Sequence, residues 1–470
     1  MVYITEVVNN ERCAMLVQFS FENFLSFGEE TTFSMIPAKS RKFKDHIISS
    51  TEGKSISVLP LAALYGANAS GKSNFVSAIG FFKALVVGDI NTVKDIPILL
   101  FKLKENNETK KGRFEIVFKH ESVLYTYGTI LSRKRIHEEW LFARFSSYER
   151  MLFERVTNED EKTIIKAGPS LAQSISGKQK SLDLMASIIS PRKLFLTECF
   201  ERGGVSDILK PVLFWFDNCF HIISPSAMAT TLPIKAEQDN KFLDFLNNFI
   251  VSSDTGISAI KGKKELLDQE KHLSDLPEPL KNRILEDISK LQSIEEKKKG
   301  LLSVCTPTNF FNIVIDENKK VYYVQLEIHH KNDKGKDIRF DFFEESDGTQ
   351  KLMHLAPILQ NALKHEQVFV FDEFDCNLHP LLSIAFLKTF LEGIKNKSSK
   401  SQFIFTTHDT NLLDSEELFR HDEVFFVEKD KDGCSHITSL ADYRISDGLR
   451  VGKGYLFGRF GAIPYLRHLA

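Results

Sequence analysis

The chain has 470 residues, 42% of them hydrophobic and 26% charged, and a formal net charge of −2. That is length for two or three domains with real cores, and the balance lacks the basic field of a protein whose main task is to coat nucleic acid. No apolar run reaches the roughly 18 residues of a membrane span and no apolar leader opens the chain, so a reduced, cytoplasmic protein without a membrane partner is expected, its six scattered cysteines serving as core filler.

Residues 1–14 carry no clear pattern, which makes Met15 a candidate start. Residues 16–24 alternate as a strand, and 27–36 read as a turn and a second strand. The apolar run 58–65 predicts a buried strand. It leads into Gly66-Ala-Asn-Ala-Ser-Gly71-Lys72-Ser73, after which Phe75, Ile79, Phe82 and Val86 recur at helical spacing. Strand, glycine loop and helix form the context that gives this phosphate-loop pattern physical meaning. Gly66 and Gly71 let the backbone curl so that its N–H groups converge on an anion, and the helix N-terminus adds partial positive charge. Lys72 is expected to reach the β- and γ-phosphates of a nucleotide, and Ser73 to ligate Mg²⁺. Asn68 within the loop and Asn74 just after it are further binding candidates.

Residues 98–165 show the short alternating runs and polar links of an antiparallel meander, and 181–220 are helical in pattern. The character changes over 226–300. Residues 242–250 and 280–299 read as amphipathic helices, the second ending in a Glu/Lys run best taken as a solvated face. This stretch predicts an inserted helical module, too short for a long coiled-coil arm. Strand patterns return at 310–315, 322–328 and 338–343, and βαβ-like alternation follows from 344 to 440. The expected divisions are 15–225, 226–300 and 301–470. The 40 phenylalanines fall mostly in strand-like runs and are expected to pack the core.

The second half supplies acids and a histidine. Residues 366–373 are a short apolar run ending in Asp372-Glu373, which is what a parallel sheet delivers at its ligand edge. Downstream of a phosphate loop, Asp372 is expected to hold Mg²⁺ and Glu373 to deprotonate or orient the attacking water. Residues 402–408 form another apolar strand ending at His408, placed to hydrogen-bond a γ-phosphate. Glu345-Ser346-Asp-Gly348-Thr349-Gln350 precedes an amphipathic helix that Pro357 is expected to kink. Ser346, Gly348 and that helix N-terminus would make a second anion site. One nucleotide does not need two such sites from one chain, so the second points to another copy.

The ordered set of phosphate loop, Ser-x-Gly-Thr-Gln, Asp-Glu, Asn377-Leu378-His379-Pro380 and Thr407-His408 resembles the ATP-binding cassette (ABC) ATPases. It looks most like the branch containing the SMC proteins, their DNA-repair relatives and the overcoming-lysogenization (OLD) ATPases. Phe21-Glu-Asn-Phe-Leu-Ser-Phe27, Phe371-Asp-Glu-Phe-Asp375 and Gly458-Arg-Phe-Gly-Ala-Ile-Pro464 resemble the RloA-like members. The resemblance implies an α/β fold: an ABC-ATPase head with a mixed sheet, an antiparallel β subdomain and the inserted helical module. It implies ATP and Mg²⁺ as ligands and hydrolysis as the reaction. It gives Ser346 and Gly348 a trans role on ATP bound to a second copy and makes Asn377–His379 an interface loop, so the protein would be at least a homodimer. Reading Glu-Ser-Asp-Gly-Thr-Gln rather than Leu-Ser-Gly-Gly-Gln, the signature fits the soluble branch and argues against a transporter partner. Gln173 and Gln179 lie where a Q-loop glutamine is sought, and neither follows a convincing strand. Such proteins occur in anti-phage cassettes, which implies an effector partner such as a nuclease or toxin and a phage-derived trigger, and leaves DNA binding open. An SMC-like repair ATPase, lacking its long arms here, and a nucleotide-dependent scaffold with little turnover are the alternatives. A single-chain OLD nuclease is disfavoured because the stretch after His408 is too short for the nuclease domain.

Overall fold

The computed structural model describes residues 14–40, 43–49, 56–105, 110–145, 148–174, 179–201, 207–293, 299–415, 418–445 and 450–464. Cys13 and most of the Glu/Lys run, at 295–298, lie outside them, and for Gln179 only the backbone is described. The chain folds as two compact units. Among described residues the larger takes 14–225, 362–376 and 383–464, and the smaller 226–361 and 377–382.

The larger unit is built on two sheets. One has six strands in the order Phe220–Ile223, Val368–Phe371, Gln402–Thr406, Leu61–Tyr65, Val424–Lys429 and Ser435–Ser439. The first five run parallel and the last pairs antiparallel. The three central strands Val368–Phe371, Gln402–Thr406 and Leu61–Tyr65 are buried at every position, the continuous apolar run of a sheet covered on both faces. Because they are parallel, their carboxyl ends reach one rim, where such sheets hold ligands.

The second sheet is the antiparallel one the sequence predicts. Its seven strands run in the order Thr163–Ala167, Arg150–Thr157, Ile136–Arg144, Val123–Leu131, Gly112–His120, Ala14–Glu22 and Thr31–Ser34. The helix Lys72–Val87 packs its apolar stripe onto it. Phe75 meets Phe33 with ring centroids 5.0 Å apart, and Phe82 stacks on Phe114 and Tyr127 at 5.7 Å each. Each such buried ring contributes about 1.5–3 kcal/mol, and this is where many of the phenylalanines go. The helix that begins at the phosphate loop is therefore anchored along its length.

Strand Phe220–Ile223 begins at the last residue of the stretch 181–220, whose pattern predicts helix. The helical segment Lys210–Phe214 and a π-turn at Trp215–Cys219 run straight into it, so the short run Phe-His-Ile-Ile carries no boundary signal. It completes the parallel sheet through pairing with Val368–Phe371.

The smaller unit has its own antiparallel sheet, ordered Ile257–Leu266, Val321–Lys331, Phe310–Ile315 and Gly300–Cys305, with Asp337–Phe340 also paired to Val321–Lys331. One face buries Leu302, Val304, Phe311, Ile313 and Ile315 with Ile284 and Ile288 of the helix Glu278–Ser293. Residues 226–300 thus carry the expected helices, including Asn240–Val251 capped by the Asp239 carboxylate on Phe242 N at 3.0 Å, but also one long strand. Ile-Ser-Ala-Ile-Lys-Gly-Lys-Lys-Glu-Leu lacks apolar alternation. It is held as a strand by pairing with Val321–Lys331 and by a charge ladder in which Lys263 lies 2.9 Å from both Glu265 and Glu327. The helix Asp347–Lys364 runs through Pro357.

Candidate nucleotide site

The phosphate loop leaves Leu61–Tyr65 at the rim of the parallel sheet and turns through Ala69, at φ 61°, and Gly71, at φ 119°. A Cβ at position 71 would lie 2.4 Å from Ser435 Oγ, so both the backbone conformation and the space demand glycine. The helix then begins at Lys72 with no side-chain cap among the described residues. Its first N–H groups stay available, which is the construction of an anion cradle. Asn68 and Ser73 are exposed, and Lys72 is buried. The Lys72 ammonium donates to Gly66 O at 2.7 Å and Ala67 O at 3.1 Å, folded onto its own loop. Desolvation lowers its pKa, against the pull of Asp372, Glu373 and Asp375. A phosphate in the loop would give that ammonium a stronger partner than two neutral carbonyls.

Asp372 and Glu373 follow Val368–Phe371 directly. Ser73 Oγ donates to Asp372 Oδ1 at 3.0 Å, and Thr406 Oγ1 donates to the same oxygen at 2.8 Å. Thr406 Oγ1 in turn accepts from Glu373 N at 2.7 Å, and Thr406 O accepts from Phe374 N at 3.0 Å. Glu373 sits at φ 49°, a left-handed conformation that costs a non-glycine residue about 1–3 kcal/mol and re-aims its side chain. Thr406, fully buried, fixes both acids, yet as one residue of an apolar strand it gives no sequence signal. The Ser73 hydroxyl beside a carboxylate is a pair of hard oxygen donors, which fits Mg²⁺.

His408 follows Gln402–Thr406 and is exposed. Its backbone N donates to Asp375 Oδ2 at 3.2 Å. Desolvation at its base, then the Lys72 ammonium, lower its pKa, and Asp375, Glu373 and Asp372 oppose them. The lowering favours the neutral imidazole, which has one N–H to donate.

Two residues outside the motifs brace the loop. Ser435 Oγ donates to Ser70 O at 2.6 Å and lies 2.8 Å from Ser26 Oγ, while Ser435 N donates to Ser26 O at 2.8 Å. Asn74 Nδ2 also donates to Ser26 Oγ at 2.8 Å, so in this structure Asn74 holds the loop rather than facing outward. Ser26 lies in Phe21–Phe27, a stretch the sequence singles out without assigning a task. Ser435 carries no motif at all.

The structure thus gathers Gly66, Asn68, Gly71, Lys72, Ser73, Asn74, Asp372, Glu373 and His408 in the larger unit. Ser346 and Gly348 belong to the smaller one, together with Asn377–His379. There Ser346 Oγ accepts from Thr349 N at 3.2 Å and caps the helix Asp347–Lys364. Glu345 packs behind it with a carboxylate oxygen 2.6 Å from His330 Nε2. A Cβ on Gly348 would sit 2.8 Å from Asn377 O, so this glycine lets the two predicted interface stretches touch. Gln173 lies in the short helix Pro169–Ser174.

The parallel sheet and the loop at its rim define an α/β phosphate-loop domain. The chain belongs to the family described as "AAA domain, putative AbiEii toxin, Type IV TA system", whose model matches residues 61–414. No curated protein matches it. Among solved structures it is similar to an SMC head bound to the C-winged helix domain of ScpA, with 16% identity over 90% of this chain and 97% of that one and a TM-score of 0.37. The SMC head domain from Thermotoga maritima is 13% identical over 92% and 99%, TM-score 0.39. The recombination mediator RecF with ATP is 16% identical over 91% and 100%, TM-score 0.30. No described helix is long and apolar enough to cross a membrane.

Proposed function

We propose that the protein is an ABC-type ATPase whose ATP-bound form pairs with a second copy and thereby gates an effector in anti-phage defence. The observation that carries the ATPase reading is the convergence of Lys72, Ser73, Asp372 and Glu373 on one rim, with Ser73 and Thr406 both bonded to one Asp372 oxygen. The loop N–H groups and Lys72 bind the phosphates. Ser73 and Asp372 would hold Mg²⁺, which when bound would offset the negative charge of the phosphates. Glu373 takes the proton of the attacking water as its oxygen bonds to the γ-phosphorus and the β–γ bridge breaks. The neutral His408 donates to a γ-oxygen. Ser346 and Gly348 of a second copy close the site, which the trans reading of the signature supports. Residues 15–225 and 301–470 then act as the two ATPase lobes with 226–300 inserted between them. The defence role rests on the RloA-like resemblance, akin to AriA of the PARIS system, and on a family whose name carries a toxin. A cytoplasmic nuclease or toxin released on a phage-derived trigger fits that reading.

Phosphate release by the wild type and by Glu373→Gln tests the enzyme claim. The variant is expected to bind ATP as tightly and to turn over about 10²- to 10⁴-fold more slowly. A wild type that binds ATP and releases no phosphate would overturn hydrolysis and leave the nucleotide-dependent scaffold.

A further inference from the structure

The hairpin joining Val424–Lys429 to Ser435–Ser439 turns through residues 430–434, closed by Asp430 N on Cys434 O at 2.9 Å. It brings Asp430, Cys434 and His436 together, with one ligand atom of each within 4.8 Å of the others. The spacing Asp-x₃-Cys-x-His matches no zinc-finger pattern, which is why the sequence marks these cysteines only as core filler.

We propose that Asp430, Cys434 and His436 form a Zn²⁺ site with an open fourth position. The donor set is the first reason. A thiolate, an imidazole and a carboxylate are the three ligand types Zn²⁺ takes, and three protein ligands leave room for a water. Charge is the second. One thiolate and one carboxylate neutralise the dication, so the half-exposed site holds no net charge. The surrounding hydrogen bonds are the third. Cys434, 1% exposed, has its sulfur held by Gly28 N, which donates to it at 3.0 Å. Asp430 Oδ1 accepts from Asp432 N at 2.9 Å and Cys434 N at 2.8 Å, which fixes the carboxylate. Its other oxygen faces His436 Nε2 at 2.9 Å, a contact that opens slightly as both atoms turn to the ion. Tetrahedral ligands at about 2.0–2.3 Å from Zn²⁺ lie roughly 3.5 Å apart, so the sulfur, within 4.8 Å of the other two ligand atoms, has to close on them by about 1.3 Å at most.

The site has a neighbour that gives it consequence. Ser435, between two ligands, is the residue that holds Ser70 of the phosphate loop. Metal in the hairpin therefore stiffens the brace of the loop. This does not depend on what the loop hydrolyses.

The test is metal binding by the purified full chain after chelator stripping and dialysis, read by Zn²⁺ competition with a chromogenic chelator and by Co²⁺ absorbance. The expected result is one Zn²⁺ per chain and a near-ultraviolet thiolate-to-cobalt band that Cys434→Ser abolishes. The Ser73–Asp372 pair contains no sulfur and cannot give that band. Because Cys434 is buried and its variant can misfold, His436→Gln and Asp430→Asn provide the second arm. Both residues are more than a third exposed, and each variant is expected to weaken Zn²⁺ binding at least about 100-fold while circular dichroism stays unchanged. No thiolate band in the wild type, or a band and Zn²⁺ affinity that survive in His436→Gln and Asp430→Asn, would overturn the site.

Discussion

The helices Lys72–Val87 and Asp347–Lys364 both begin on a stretch with a serine and a glycine, yet their N-termini are built differently. The first opens through left-handed Gly71 with no side-chain cap among the described residues and a buried lysine beside it. The second opens under Ser346, whose oxygen already takes the Thr349 N–H. One terminus can cradle a phosphate unaided. At the other, Ser346 Oγ also lies 2.9 Å from Thr349 Oγ1, so its O–H reaches a phosphate held elsewhere only with Thr349 as the donor of that pair. An unpartnered set of N–H groups thus marks a primary site, and a capped one marks at most a completing surface.

Four experiments sharpen or break this contrast. The largest effect is expected from Lys72→Ala, which removes the charge in the cradle. ATP affinity should fall about 100-fold and turnover should vanish, read by equilibrium nucleotide binding and phosphate release. Ser346→Arg should behave oppositely in binding. A single chain keeps its ATP affinity within about twofold, while turnover drops about 100-fold because the completing surface is blocked. Equal loss of ATP affinity in both variants would erase the distinction. A smaller change is expected for Ser435→Ala, which removes a brace rather than a ligand. Losing one hydrogen bond of about 0.5–1.5 kcal/mol should raise KM roughly 2- to 10-fold with kcat little changed.

The fourth compares the units by acid. Each packs a histidine against rings, half-buried His221 on Phe369 in the larger and buried His354 beside Phe310 and Phe342 in the smaller, and desolvation lowers the pKa of both from 6.5 to about 4. A depressed histidine pKa means the unfolded chain binds the proton first. The stability from the neutral form is whole above pH 6.5 and is lost as pH falls toward 4, by up to about 3 kcal/mol per group. His221→Phe should flatten the decline of the larger unit's unfolding midpoint between pH 6.5 and 4, measured by denaturant titration at several pH values. His354 Nδ1 accepts from Ala229 N at 3.2 Å, so the same change there should also lower stability at pH 7.

Much of the larger unit was legible because its chemistry sits in contiguous strings. The loop, Asp372-Glu373 and His408 each end an apolar run, and parallel strands end at one rim, so the strings predict their own convergence. What stayed hidden is pairwise and long-range. Thr406 is one threonine in a buried strand, and Ser26 and Ser435 meet across more than 400 positions of chain. Phe220–Ile223 had no turn before it to announce a strand. In the smaller unit, Ile257–Leu266 owes its form to a partner strand and a Lys–Glu ladder rather than to apolar alternation. Ser346 and Gly348 were found by pattern, and the contact of Gly348 with Asn377 O lay beyond any local reading.

Mixing Lys72→Ala with Ser346→Arg tests most directly whether one copy's cradle is completed by another's capped helix. Alone, Lys72→Ala should show no turnover and Ser346→Arg about a hundredth of the wild-type rate. In a mixed dimer, the intact loop of the Ser346→Arg chain meets the intact Ser346 of the Lys72→Ala chain. An equal mixture should then recover turnover toward about a quarter of wild type, the statistical share of composite sites. A Ser346→Arg chain that hydrolyses ATP at the wild-type rate, or a mixture no more active than its components, would contradict the account.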